Sequence, residues 1–277
     1  MMKKRTFLSL AALAYVVILG ICGNCNVSAA ENAQEITLPE NGICAHRGNN
    51  AHFPENTVPA FLSAVELGAA QVELDVYYTK DKKMIVMHDD DVARTTTGKG
   101  LIREKTLAEI KSLGIRFQGK VVDGVRVPTF EEVVSVLPKN IWINIHVKDN
   151  KVDLILEIAA YLKKEGRLHQ SFLLCNRNVA QEVRKTYPTL KICNPPGEST
   201  FSAYVDSTIA LGFEFVQPNP KYAEMPKSEI QRLHDAGVKI NYFGVKNAAH
   251  CRELLEMGVD FPLCDDVTAC ATEMSKK

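Results

Sequence analysis

Three histidines, His46, His88 and His146, stand at the ends of three different predicted strands. Each imidazole can move a proton or bind a metal near neutral pH. Arg47 follows His46, and a guanidinium fork matches phosphate oxygens, so the pair points to a phosphate site. In Val72-Glu73-Leu74-Asp75-Val76, alternation along a strand puts Glu73 and Asp75 on one face and the apolar residues on the other. Adjacent inward carboxylates repel unless a cation or a proton intervenes. A hard metal ion with oxygen ligands is the natural remedy, the alternative being two solvated acids at a strand end. The run 141–148 repeats the pattern. Ile141, Ile143, Ile145 and Val147 suit packing against helices, while Trp142, Asn144, His146 and Lys148 face the other way, polar toward the C-terminal end. Val86 and His88 share a face of a further predicted strand. His52, His169, His234 and His250 fall in predicted loops or helices and take no role.

The elements that must position these groups alternate in type. Extended runs are expected at 43–47, 71–77, 84–88, 141–148, 172–175, 191–193, 213–217, 239–243 and 261–264. Helical patterns are expected near 58–68, 130–137, 152–165, 177–187, 202–211, 227–236 and 248–257. Strands alternating with helices imply a parallel sheet, and this many units imply a (β/α)8 TIM barrel. Nine runs for eight staves leave one that must be an extra or a closure. Residues 89–127 replace a short loop and are read as a small inserted cap after the third strand. Polar residues at the C-terminal ends of strands are where barrels place their sites.

Composition narrows the class. The 277 residues are 46% hydrophobic, with 33 basic and 33 acidic side chains. That excludes a disordered chain and offers no basic excess for nucleic acid. Lys3, Lys4 and Arg5, the apolar run 7–21 and Val27-Ser28-Ala29-Ala30 follow the order of a secretory signal peptide over residues 1–30. The apolar run is shorter than the roughly 20 residues of a membrane span, so no stable insertion is expected after cleavage. Ile21 and Asn24 precede Cys22 and Cys25 where a lipid-attachment motif needs a small residue, which disfavours a lipoprotein. The expectation is an exported, periplasmic or secreted protein. Cleavage removes three basic and no acidic residues, leaving residues 31–277 slightly acidic as a single domain. Its six cysteines lack the spacing of a metal or redox motif and are expected to be buried free thiols.

The series Ile43-Cys44-Ala45-His46-Arg47-Gly48, Pro54-Glu55-Asn56-Thr57, Glu73-Leu74-Asp75-Val76, Thr79-Lys80-Asp81, His88-Asp89, Arg94-Thr95-Thr96, Val127-Pro128-Thr129, Gly258-Val259-Asp260 and Asp265 resembles the glycerophosphodiester phosphodiesterases. The resemblance is dense over 43–148 and thinner beyond. It implies a phosphatidylinositol-phosphodiesterase-like barrel with one divalent metal ion. Such an enzyme hydrolyses small-molecule glycerophosphodiesters to glycerol 3-phosphate and an alcohol. By the same resemblance His46 and His88 are the general acid and base, Arg47 and Lys148 hold the phosphate, and Glu73 and Asp75 bind the metal. Glu55 matches an acidic residue of the family's first loop, or else supports that loop and the helix start at Asn56-Thr57.

Two departures stand out. Where the family's fourth strand has Glu-x-Lys, this chain has His146-Val147-Lys148. As a third metal ligand, His146 would favour Zn or Mn over the Ca or Mg that the resemblance implies; alternatively it does not ligate. Where the family has a Trp, this chain has Tyr242-Phe243-Gly244-Val245, with Phe243 as an apolar wall for the glycerol or alcohol. Two further readings stay open: a phospholipase or lyase acting on lipid head groups in the same fold, and a catalytically weakened binder of phosphate ligands. The sequence does not set the oligomeric state.

Overall fold

A computed structural model describes residues 37–276 apart from Ala223. The expected signal peptide, residues 1–30, lies outside the described residues. In chain order the strands are β1 (Cys44–His46), β2 (Gln71–Tyr78), β3 (Met84–Val86), β4 (Ile115–Phe117), β5 (Lys120–Val122), β6 (Trp142–Val147), β7 (Ser171–Leu174), β8 (Lys191–Asn194), β9 (Phe215–Val216), β10 (Lys239–Tyr242) and β11 (Phe261–Cys264). The α-helices are α1 (Val58–Glu66), α2 (Leu107–Lys111), α3 (Phe130–Val136), α4 (Val152–Lys164), α5 (Arg177–Arg184), α6 (Phe201–Leu211), α7 (Lys227–Asp235), α8 (Ala248–Met257) and α9 (Val267–Met274). None of the described helices is long and apolar enough to cross a membrane.

Eight parallel strands close into a barrel in the order β1, β2, β6, β7, β8, β9, β10, β11, with β11 returning to β1. The fold is the expected (β/α)8 barrel. The ninth extended run, Met84–His88, is not a stave. It shortens to β3, which folds back antiparallel on the end of β2, pairing Val76 with Val86. The strand carrying His146 and Lys148 is therefore the third stave, not the fourth. Helix α9 was not expected at all. After β3 comes the cap, with the hairpin β4–β5, the short α2 and its own core of Ile85, Met87, Val92, Ile102, Ile110, Ile115 and Val127. Thr106 and Thr129 start α2 and α3 with capping boxes to Glu109 and Glu132, satisfying backbone donors at both helix starts.

Alternation sorts the strands as the sequence implies. Val72, Leu74, Val76, Ile143, Ile145 and Val147 pack outward with the helices. Inside the barrel, Trp142, Phe172, Leu174, Cys193 and Phe215 form one apolar cluster, with Phe172 stacked on Phe215 at 3.8 Å between centroids. Two buried amide pairs cross the barrel, Asn144 donating to Gln217 at 3.0 Å and Asn241 to Gln71 at 2.7 Å. Polar groups are tolerated there because they meet each other. At one end, the buried Arg167 guanidinium donates to the carbonyls of Val134 (3.0 Å), Leu137 (2.6 Å) and Pro138 (2.9 Å).

Closure of the barrel is laced at its mouth. Asn49 accepts from the Val267 backbone at 3.1 Å and donates to Thr268 at 3.2 Å. Asn50 donates to Asp265 at 2.6 Å, and the Ala51 backbone donates to the Asp265 carbonyl at 3.1 Å. The loop after β1 and the segment after β11 are thus joined through both backbone and side chains.

Candidate active site

Strand register builds the site. Pairing of β1 with β2 sets His46 beside Glu73, and pairing of β2 with β6 sets Glu73 beside Asn144 and Asp75 beside His146. Since Glu73 and Asp75 point the same way, the two carboxylates form successive inward levels. His88 arrives by another route. The Met87 backbone donates to the Asp75 carbonyl at 3.0 Å, so the segment leaving β3 delivers His88 at the carboxylate level. These groups wall a cavity of about 450 Å³ with His46, Arg47, Glu73, Asp75, His88 and His146 on one side. Asn150, Asn176, Pro195, Gln217, Asn219 and Phe243 complete it. Phe243 stands edge-on to His46 with centroids 5.2 Å apart, as an apolar wall would.

The turn after β1 is held in a costly shape. Arg47 and Asn56 have φ of +54° and +56°, a left-handed region that non-glycine residues rarely occupy. Gly48 follows at φ +83°, and a Cβ there would come within 2.6 Å of the Ala60 backbone. The strained turn points the Arg47 amide at Glu73 Oε2, 3.1 Å away. Asn56 donates to Asp75 Oδ2 at 2.8 Å.

Each acid–base candidate has a carboxylate behind it. His46 Nδ1 lies 2.6 Å from Asp265 Oδ1, and His88 Nδ1 lies 2.6 Å from Asp89 Oδ1. With an ionised carboxylate as partner, Nδ1 carries the proton and the other ring nitrogen is left for chemistry. Burial pulls the His46 pKa down, but the hydrogen bond to Asp265 and the charge of Glu73 outweigh it, so the net shift is upward. The bond from Arg94 lowers Asp89 to about 2 and keeps it ionised. Arg94 also grips Glu55 through Nη1 at 2.7 Å and Nη2 at 2.8 Å, and Glu55 in turn accepts from Arg47 Nη1 at 2.9 Å. An alternating chain of charge thus runs Arg47, Glu55, Arg94, Asp89 and ends on the His88 ring. Glu55 thus ties Arg47 to Arg94.

The metal candidates also converge. Glu73, Asp75 and His146 each offer a ligand atom, all within 4.8 Å of one another. Asp75 Oδ1 is buried and accepts no hydrogen bond, although Lys148 Nζ at 3.3 Å and His146 Nδ1 at 3.5 Å are near. A bare carboxylate oxygen facing two further ligands suits a cation. Burial and the neighbouring Asp75 raise Glu73 to about 7. Burial works against ionised Asp75 too, but Lys148, His146 and Arg47 outweigh it and lower its pKa. Burial, then Lys148, lowers His146 to about 4, so its imidazole is neutral at pH 7, the form that binds metals. Lys148 does not wall the main cavity; it reaches the site by way of Asp75.

The family model described as "Glycerophosphoryl diester phosphodiesterase family" matches residues 46–269, from the first catalytic candidate to α9. The chain belongs to the glycerophosphoryl diester phosphodiesterase family. A glycerophosphodiester phosphodiesterase of Caldanaerobacter subterraneus subsp. tengcongensis is 35% identical over 235 residues, covering 81% of this chain and 93% of that protein. One of Bacillus subtilis strain 168 is 28% identical over 276 residues, covering 91% and 90%. Among solved structures, a phosphodiesterase of Oleispira antarctica in complex with the product sn-glycerol-3-phosphate superposes with a TM-score of 0.73. It is 22% identical and covers 85% of this chain and 97% of that one. The glycerophosphodiester phosphodiesterase of Agrobacterium tumefaciens gives 0.72 at 24% identity, covering 84% and 99%. At these identities the two structures show the shared barrel.

Within this phosphodiesterase fold, all the candidate residues named from sequence come to one place, Lys148 indirectly. Sequence reasoning left Asp265, Asp89, Arg94 and Asn56 without a role. Each sat inside a family-like motif, and that position was the one available signal.

Proposed function

We propose that the chain hydrolyses soluble glycerophosphodiesters to glycerol 3-phosphate and an alcohol, with His46 as general acid and His88 as general base. One observation carries this reading: two histidines, each backed by its own carboxylate, face one cavity beside a carboxylate–imidazole cluster. His46, whose pKa is raised, holds a proton near neutrality and donates it to the leaving alcohol oxygen. His88, oriented by Asp89, takes the proton of the attacking water, or of the neighbouring glycerol hydroxyl, whose cyclic phosphate a water then opens. Arg47 supplies a bidentate fork to the phosphate, aimed by Glu55 and by its strained backbone. Phe243 and the Asn150, Asn176 and Asn219 amides receive the alcohol and glycerol parts. Glu73, Asp75 and His146 would hold a divalent ion, which as a Lewis acid offsets the charge of a phosphoryl oxygen. With a neutral imidazole as third ligand, Mn or Zn is favoured over Ca or Mg.

The leader pattern over residues 1–30 supports export, which fractionation and N-terminal sequencing of the native protein would test. Activity is tested with glycerophosphocholine, glycerophosphoethanolamine and an aryl phosphodiester, with and without chelator. We expect chelator-sensitive release of glycerol 3-phosphate, reduced about a thousandfold in His46→Ala and in His88→Ala. No metal-dependent turnover on any substrate would leave a phosphate-binding protein instead. Cyclic phosphate as the final product would make the enzyme a lyase. After chelation, Mn or Zn should restore activity better than Ca or Mg, and His146→Glu should reverse that order. Tight preference for Ca or Mg in the unaltered protein would overturn the assignment of His146.

A further inference from the structure

A second constellation of ligand atoms lies behind the site. Along β11, Phe261 and Leu263 face the barrel interior, so alternation turns Cys264 outward toward α8 and α9. Those helices bring Cys251 and Cys270 to meet it. The Sγ atoms of Cys251 and Cys264 are 3.5 Å apart, and all three sulfurs lie within 4.8 Å of one another. All three are buried free thiols. Three thiolates bound tetrahedrally to a zinc-type ion at about 2.3 Å would place their sulfurs about 3.8 Å apart. The thiols therefore stand near the spacing of a metal site without being drawn together into a disulfide.

Core thiols packed for volume alone need no access. Here a separate cavity of about 240 Å³ has Cys264 and Cys270 in its wall, together with Lys246, Asn247, Asp265 and Asp266. It gives an ion a way in and leaves room for a water as fourth ligand. We propose that Cys251, Cys264 and Cys270 bind one thiophilic divalent cation of the zinc–cadmium class. Binding breaks three S–H bonds, forms three sulfur–metal bonds and releases three protons, with no change of oxidation state. Cys264 directly precedes Asp265, the partner of His46, so the ion braces the strand end that presents that carboxylate. The cluster is distinct from the Glu73–Asp75–His146 group, and its ligands are soft where the other's are mainly hard.

Cadmium(II) is titrated into the reduced, chelator-stripped protein as residues 31–277, free of Cys22 and Cys25, while the ultraviolet sulfur-to-metal charge-transfer band and proton release are followed. We expect the band to saturate at one sulfur-bound ion per chain, with proton release beyond that seen in Cys251→Ser tracking the band. Cys251→Ser and Cys270→Ser, checked for folding by circular dichroism, lose the band. Cys175→Ser, a buried thiol outside the cluster, keeps it. If Cys264→Ser does not fold, the other two variants suffice. No band at saturating cadmium, or an undiminished band in folded Cys251→Ser and Cys270→Ser, overturns the proposal. So does a stable Cys251–Cys264 disulfide in protein isolated from its host, which would consume two ligands.

Discussion

Arg94 is the hinge of the site's charge chain, since one guanidinium holds both Glu55 and Asp89. Arg94→Met should release Asp89 from its fixed position behind His88 and let Glu55 drift from Arg47. We expect kcat to fall roughly ten- to hundredfold with the fold intact, read by steady-state kinetics and circular dichroism. Asp265→Asn removes the partner that raises His46. An acid must be protonated to act, so activity should begin its alkaline fall at a lower pH than in the unaltered enzyme. A pH–rate profile checks the direction; an unmoved alkaline limb would detach His46 from the acid role. Residues of this kind were the least legible. Glu73, Asp75 and His146 declare themselves because strand alternation forces them inward. Asp265 is one acid among 33, and its partner is 219 positions away. Only its place at the end of the motif series marks it.

At the scale of elements, alternation gave the facing of β2 and β6 correctly because one face of each is wholly apolar. It failed at β3, where Met84, Ile85 and Val86 are all buried and no face stands out. The run therefore resembled a stave, whereas its antiparallel return along β2 is what brings His88 level with Asp75. Helix α9 carries little helical signal because Val267, Thr268 and Thr272 are weak helix formers. Its start depends on the Asp266 side chain accepting from the Ala269 backbone at 2.8 Å. Arg167 joins the ends of α3 and the following loop through carbonyls that burial denies to water. Arg167→Ala should cost about 3 kcal/mol in urea unfolding, through the stranded carbonyls, and leave kcat unchanged.

For the whole molecule, the site's carboxylates tie stability to pH and metal. Glu73 has an ordinary value of 4.5 and is raised to about 7 in the folded protein. The folded state holds this proton more tightly, so its contribution is full below pH 4.5 and is lost as pH rises through about 7. His146, lowered from 6.5 to about 4, contributes with the opposite sign between pH 4 and 6.5, so metal-free protein should change little in stability up to pH 6.5 and lose stability only above it. A divalent ion competes with the proton, so the rise in Tm on adding Mn should be large at pH 7.5 and small at pH 5. Melts with and without chelator measure both trends; an equal rise at the two pH values would remove Glu73 as a ligand. The lacing of Asn49, Asn50 and Ala51 to Asp265, Val267 and Thr268 carries a last consequence, one of timing. During synthesis Glu73, Asp75, His88 and His146 are all made long before Asp265. The carboxylate behind His46 arrives only when the final stave docks on the first. A nascent or C-terminally clipped chain would thus carry most of the proposed catalytic residues and still be inert, so on that reading phosphodiester cleavage reports that the ring has been sealed.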